Sequence, residues 1–181
     1  MPQNPTNRTT PATPATPTTS TAGATPSRRR SWLTFLLLLA LCYGVAAAGA
    51  AATGDAGSTY AALDRPAWAP PGWLFGPVWT VLYGMIAVAG WLVTRRPGPG
   101  RRPALVAWGV QLALNALWTP LFFAAEQYGL AFLDISLLLA AVVATALLCA
   151  RVDRRGAWLL APYLLWVGYA AALNLALWLA N

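Results

Sequence analysis

The chain of 181 residues contains no histidine. That removes the commonest metal and haem ligand and the usual general base near neutral pH. Lysine is absent too, so all 12 basic side chains are arginine, against 5 acidic ones. Cysteine is scarce: Cys42 and Cys149 lie in different apolar stretches and form neither a CxxC nor a zinc spacing. Both read as small buried apolar residues. Charge is scarce altogether, at 9% of residues where a soluble domain carries roughly 25%. No Ser/His/Asp set, paired carboxylates, phosphate loop or metal cluster can be assembled from what remains. No metal and no required cofactor are therefore expected, and an enzyme is not the first reading.

What is abundant is apolar surface, 58% of the chain, gathered in five long runs. They cover residues 32–52, 73–93, 104–125, 128–150 and 157–180. Each is long enough for a hydrocarbon core of about 30 Å at 1.5 Å per residue. In lipid the backbone must satisfy its own hydrogen bonds, so each run is expected to be a helix. The fold class is thus all-α, one integral membrane bundle of five transmembrane helices spanning 32–181. Ala46-Ala47-Ala48 would suit a signal cleavage site. The first run is longer than the usual signal core of about 7–15 residues, so it reads as a span. Residues 1–31 hold six Pro and nine Thr and are expected to be a disordered cytoplasmic tail.

The arginines set the orientation. Arg28, Arg29 and Arg30 precede the first run; Arg95, Arg96, Arg101 and Arg102 join the second to the third; Arg151, Arg154 and Arg155 join the fourth to the fifth. With Arg8, they fall on one side, and only Arg65 lies on the other, beside Asp55, Asp64 and Glu126. The positive-inside rule then predicts the N-terminus inside and the C-terminus outside, in a bacterial plasma (inner) membrane. Arginines at span ends suit anionic lipid headgroups rather than nucleic acid, which is not expected as a partner.

Leu63–Gly84 packs four Pro, three Gly and three Trp into the entry of the second run. A helix needs none of these to span a bilayer. The stretch reads as a stiff aromatic loop that lids a cavity and points to binding. Counting inward from the outer end of each helix, Trp79, Thr119, Asp134 and Asn174 all lie six residues deep, about 9 Å. Gln111, Asn115 and Trp118 share one helical face, and Trp166, Ala170 and Asn174 another. If these groups converge, they line a chamber walled by indoles, Tyr83 and Phe75, suited to a flat, largely apolar ligand.

Each residue also has a plainer reading. Trp32, Trp73, Trp91, Trp158 and Trp178 lie near span ends, as interface anchors do. Trp79, Trp118 and Trp166 lie deeper, for cavity or packing. Asn115 and Asn174 either line the chamber or bridge helices. Asp134, costly in hydrocarbon when charged, either holds spans together as a hydrogen-bonded carboxyl or relays protons. Gly44, Ala48 and Ala52 recur every fourth residue, a pattern used both within bundles and by dimers.

Four motifs in order, Leu63–Gly84, NALWTPLFF at 115–123, LDISLLL at 133–139 and LLAPYLLWVGYAAALN at 159–174, resemble the TspO/MBR family. These are the tryptophan-rich sensory proteins and the mitochondrial translocator or peripheral benzodiazepine receptor. The resemblance covers residues 32–181. It implies a five-helix bundle, often a homodimer, whose pocket is capped by the first long loop. It implies porphyrin ligands of the protoporphyrin IX class, with haem-related tetrapyrroles and synthetic isoquinoline carboxamides. Matching pocket positions are Tyr60, Trp68, Pro70, Trp79, Tyr83, Asn115, Trp118, Trp166 and Ala170. Some bacterial members break down protoporphyrin in light, with indoles matching Trp79 and Trp166 implicated. Leu173–Asn181 lacks the Tyr and basic residue of the mammalian sterol pattern, so sterol binding is not carried over. Without histidine, iron-free porphyrin is the more natural ligand. The resulting expectation is a porphyrin-binding sensor, scavenger or transporter. Light-dependent porphyrin degradation comes second, and a proton-coupled transporter using Asp134 third.

Overall fold

The computed structural model describes residues 28–54 and 56–181. The expected disordered tail falls mainly on residues 1–27, outside the described residues, as do Arg8 and Asp55. The chain runs through α1 (Arg28–Ala52), a short α2 (Ala56–Ala62), a 3-10 turn (Gly72–Leu74) and α3 (Phe75–Thr94). It continues through α4 (Arg101–Thr119), a π-helical turn (Pro120–Ala124), α5 (Tyr128–Val152) and α6 (Arg154–Ala180). Five of these stretches are long and apolar enough to cross a membrane: α1, α3, α4 with its π turn, α5 and α6. Among the described residues there is no strand.

The helices overrun the apolar runs. α1 starts at Arg28, so Arg28–Ser31, expected in the tail, are helical. A helix continues its backbone ladder past the hydrocarbon edge, and arginine stems can lie along the apolar surface with their heads in water. Thr34 Oγ1 donates to the Arg30 carbonyl at 3.0 Å within this first segment. α4 starts at Arg101, with Pro103 in its first turn, where a missing N–H is tolerated. α5 and α6 are separated by Asp153 alone, whose extended backbone breaks the helix and whose carboxylate accepts the Arg155 N–H at 3.0 Å. Asp153 Oδ2 also pairs with Arg96 Nε at 3.1 Å, tying the α3–α4 connection to the α5–α6 corner.

Pro120 reshapes the far end of α4. Without an N–H, and crowding the preceding turn, it cannot continue the i→i−4 ladder. The helix widens instead, and the Ala125 N–H donates to the Pro120 carbonyl at 2.9 Å. That turn carries Phe122 and Phe123 toward α2 and α6.

The spans close a ring: α1 packs on α3, α3 on α6, α6 on α5, α5 on α4, and α4 on α1. α3 also reaches α4 across the middle. Close approach there depends on Gly90, against which Trp108 lies flat while its Nε1 donates to the Ile86 carbonyl at 2.9 Å. α1 is the loosest member. Cys42 is its one buried side chain, and Leu33, Leu36, Leu37 and Leu41 face outward.

Candidate functional site

A partly open chamber of about 540 Å³ lies toward one end of the bundle. α1 and the turn after it supply a wall of small groups, Ala46, Gly49, Ala50, Thr53 and Gly54, with Tyr43 and Val45. The facing walls are Phe75, Trp79, Thr80 and Tyr83 of α3, with Trp118, Thr119 and Phe123 from the end of α4. Tyr60 of α2 and Gly72 close the lid side. The volume falls within the roughly 300–1,000 Å³ usual for small-molecule sites.

Sequence and local geometry explain these placements. Trp79 and Tyr83 are four residues apart, so they share a face of α3, with ring centroids 5.5 Å apart. Trp118 stacks on Phe122 at 5.1 Å and contacts Phe123 at 5.9 Å, so the π turn packs it sideways into the chamber wall. The Tyr60 hydroxyl donates to the Pro70 carbonyl at 2.9 Å, latching α2 to the proline-rich loop. Burial pushes this phenol above its ordinary pKa more strongly than Arg65 lowers it, so it remains a donor at neutral pH. Arg65 lies over the same ring, 5.0 Å from its centroid.

The chamber floor leads into a buried polar chain. Tyr83 donates to Asn115 Oδ1, Asn115 Nδ2 donates to the Tyr163 hydroxyl at 3.0 Å, and Tyr163 donates to Gln111 Oε1 at 2.9 Å. Three helices are thereby joined through side chains buried in the bundle. A second chain runs from Trp118 Nε1 to Asn174 Oδ1 at 3.0 Å, and from Asn174 Nδ2 to the Tyr128 carbonyl at 2.9 Å.

Of the residues singled out from sequence, Tyr60, Trp79, Tyr83 and Trp118 line the chamber. Asn115 lies directly behind it, bonded to Tyr83. Ala170 and Asn174 line a separate crevice of about 20 Å³, divided from the chamber by Tyr60, Phe75, Trp118 and Phe123. Trp166 lies behind Phe75, at 5.8 Å between centroids, and its Nε1 is buried with no protein acceptor. Pro70 is buried in the lid, and Trp68 is 50% exposed, packed on Tyr169. Asp134 is 5% exposed and does not line the chamber, and its Oδ2 has no hydrogen-bond partner. Trp32, Trp73, Trp158 and Trp178 are exposed near span ends. Trp91 is half-buried there, donating to the Ser31 carbonyl at 3.0 Å.

Sequence reasoning missed the α1 wall. Its only signal is the density of Gly and Ala between 44 and 57, which also reads as ordinary helix packing. Phe123 was missed because its direction depends on the π turn.

Five apolar helices, three of which wall an aromatic chamber, define a multi-pass integral membrane protein. The TspO/MBR family matches residues 35–179, and the chain belongs to it. It is 41% identical to the translocator protein of Ovis aries over 125 residues, 67% of this chain and 74% of the sheep protein. It is 37% identical to protein CrtK of Rhodobacter capsulatus over 150 residues, 80% of this chain and 94% of that one. It is 38% identical to the tryptophan-rich protein TspO of Chlorobaculum tepidum over 148 residues, 78% of this chain and 92% of its relative.

Proposed function

We propose that the chamber binds porphyrin-type ligands of the protoporphyrin IX class and that the protein acts as their sensor, scavenger or carrier. The observation that carries this reading is the wall itself: Tyr60, Phe75, Trp79, Tyr83, Trp118 and Phe123 surround one space of ligand size. A large planar macrocycle gains from aromatic contact and apolar burial, and needs few polar anchors. The relatives named for a tryptophan-rich sensory role or for translocation support sensing or carrying over catalysis. The proposed setting is a bacterial plasma membrane with the N-terminus inside. The seven arginines of the α3–α4 and α5–α6 connections support it, since they lie at the end away from the chamber. A homodimer is part of the proposal, supported by Gly44, Ala48 and Ala52 on the exposed face of α1.

Titration of the purified protein with protoporphyrin IX tests the site. Tryptophan fluorescence should fall, and the porphyrin absorption band should shift, with saturation. Trp79→Phe should weaken binding about three- to tenfold, read from the porphyrin band. Trp166→Phe should weaken it less, because Phe75 stands between that indole and the chamber. Asp134→Asn should leave affinity unchanged. Saturable binding that ignores Trp79→Phe would place the ligand elsewhere.

Trp79 favours one second reading, light-driven porphyrin breakdown, because its indole lies in the chamber wall where an excited ligand could take an electron from it. Illumination of the complex should then bleach the porphyrin faster than in detergent alone, and Trp79→Phe should slow it. Equal rates would remove this reading.

A further inference from the structure

We infer that Arg65 is the counter-charge for a carboxylate on the chamber's ligand, so that the site selects anionic planar molecules over their neutral esters. This inference rests on the porphyrin reading above. It begins with the chamber lining, in which no described residue is charged; its polar side-chain groups are the hydroxyls of Tyr43, Thr53, Tyr60, Thr80, Tyr83 and Thr119 and the indole N–H groups of Trp79 and Trp118. A carboxylate buried among these groups alone would lose its hydration without a compensating charge. The acid group must therefore stay at the mouth or meet a cation there.

One arginine stands at that end. Arg65 places its guanidinium carbon 5.0 Å from the centroid of Tyr60, and Tyr60 is itself a chamber wall, 3% exposed. Arg65 also makes a side-chain hydrogen-bonding contact with Tyr60, and a guanidinium carries five N–H donors in a fork that matches a carboxylate, so donors remain for a second partner. The Tyr60 hydroxyl cannot compete for an incoming anion, because it is committed to the Pro70 carbonyl.

Among the described residues no carboxylate pairs with Arg65, and the one ion pair is Arg96 with Asp153. The neighbouring Asp64 engages the C-terminal residue through its backbone: its N–H donates to Asn181 Oδ1 at 3.0 Å, and its carbonyl accepts from Asn181 Nδ2 at 3.3 Å. On the other side, the Ala69 N–H donates to the Pro66 carbonyl at 2.9 Å. The backbone on both sides of Arg65 is pinned, so its side chain starts from a fixed point beside Tyr60. Such preorganisation favours binding, because less freedom is lost when the ligand arrives.

The test compares protoporphyrin IX with its dimethyl ester on the full-length protein in nonionic detergent. The wild type should bind the free acid more tightly than the ester. Arg65→Gln should weaken the acid about tenfold, the scale of one partly exposed charge-assisted hydrogen bond, and leave the ester unchanged. Arg65→Lys should recover part of the loss, and the acid preference should shrink as salt is raised. Unchanged ester binding also shows that the variant is folded. Equal weakening of acid and ester would make Arg65 a support for the lid and overturn the inference, and so would no change in either. A wild type that binds neither compound would instead remove the porphyrin reading itself, and this inference with it.

Discussion

A methyl group placed on Gly90 would lie 2.9 Å from two atoms of the Trp108 ring. That ring is buried and tied to the Ile86 carbonyl, so it cannot step aside without losing a hydrogen bond. Gly90→Ala is expected to cost about 1–3 kcal/mol, the usual scale of overpacking. Gly109 and Gly168 are helical too, but a methyl on either meets nothing within 4 Å. Alanine there should be neutral or stabilising by up to about 1 kcal/mol, since it is the better helix former. Thermal melts of the three variants in one detergent check the contrast. Tyr163 carries the second prediction at this scale. Its hydroxyl accepts from Asn115 and donates to Gln111, and the residue is fully buried. Tyr163→Phe leaves both amides short of a partner, for an expected loss of about 1–3 kcal/mol. Equal melting temperatures for Tyr163→Phe and the wild type would show that the chain contributes nothing net.

At the scale of the element, the break at Asp153 carries more than a turn. Burial would raise its carboxyl pKa, but the Arg155 N–H and the Arg96 guanidinium outweigh that and hold it below the ordinary value. A carboxylate depressed by folding adds stability that is complete above the unfolded-state value of about 3.9. That contribution is lost as pH falls through the lower folded-state value. The wild type should therefore lose melting temperature below about pH 4 more steeply than Asp153→Asn. Asp153→Ala should cost about 1 kcal/mol near neutral pH through the lost cap. A parallel acid slope in Asp153→Asn would assign the acid sensitivity to another group. The helices themselves were legible in the sequence, because 20 or so uncharged residues in lipid permit little but a helix. Their ends were less so. Arg28–Ser31 continue α1, and α6 begins at Arg154, before the apolar run. Charged residues can lie in a helix past the hydrocarbon edge, and composition does not mark where the ladder stops. The π turn at Pro120–Ala124 was not legible either, although Pro120 marks the place.

The chamber exists only at the scale of the whole molecule, where α1, α2, α3 and the end of α4 each supply one wall. Its chemistry was half legible. Trp79, Tyr83 and Trp118 announce themselves by type and depth, whereas Tyr60 came only from the family resemblance. Whether an indole faces a cavity or a neighbour depends on how each helix is rotated, and spacing within one helix does not give that. Trp166 is of the same type but set deeper than the others, and it ends behind Phe75. The least legible wall, α1, is also the most weakly held. Cys42 is its one buried side chain, and Tyr43 ties it to α3 through a 2.9 Å hydrogen bond to the Thr80 carbonyl. α5 and α6, by contrast, bury long stripes against each other and take no part in the chamber lining. Local stability follows buried contact, so α1 amides should exchange faster than those of α5 in the ligand-free protein. A bound macrocycle would fill the space against Ala46, Gly49, Ala50 and Thr53 and give that face the contacts it lacks. Saturating protoporphyrin IX should therefore slow exchange across residues 43–54 far more than across α5, read by mass spectrometry. Tyr43→Phe should speed α1 exchange in the free protein and be largely rescued by ligand, because the ligand contacts more of α1 than one hydroxyl does. Protection confined to α5 and α6 would put the ligand outside this chamber.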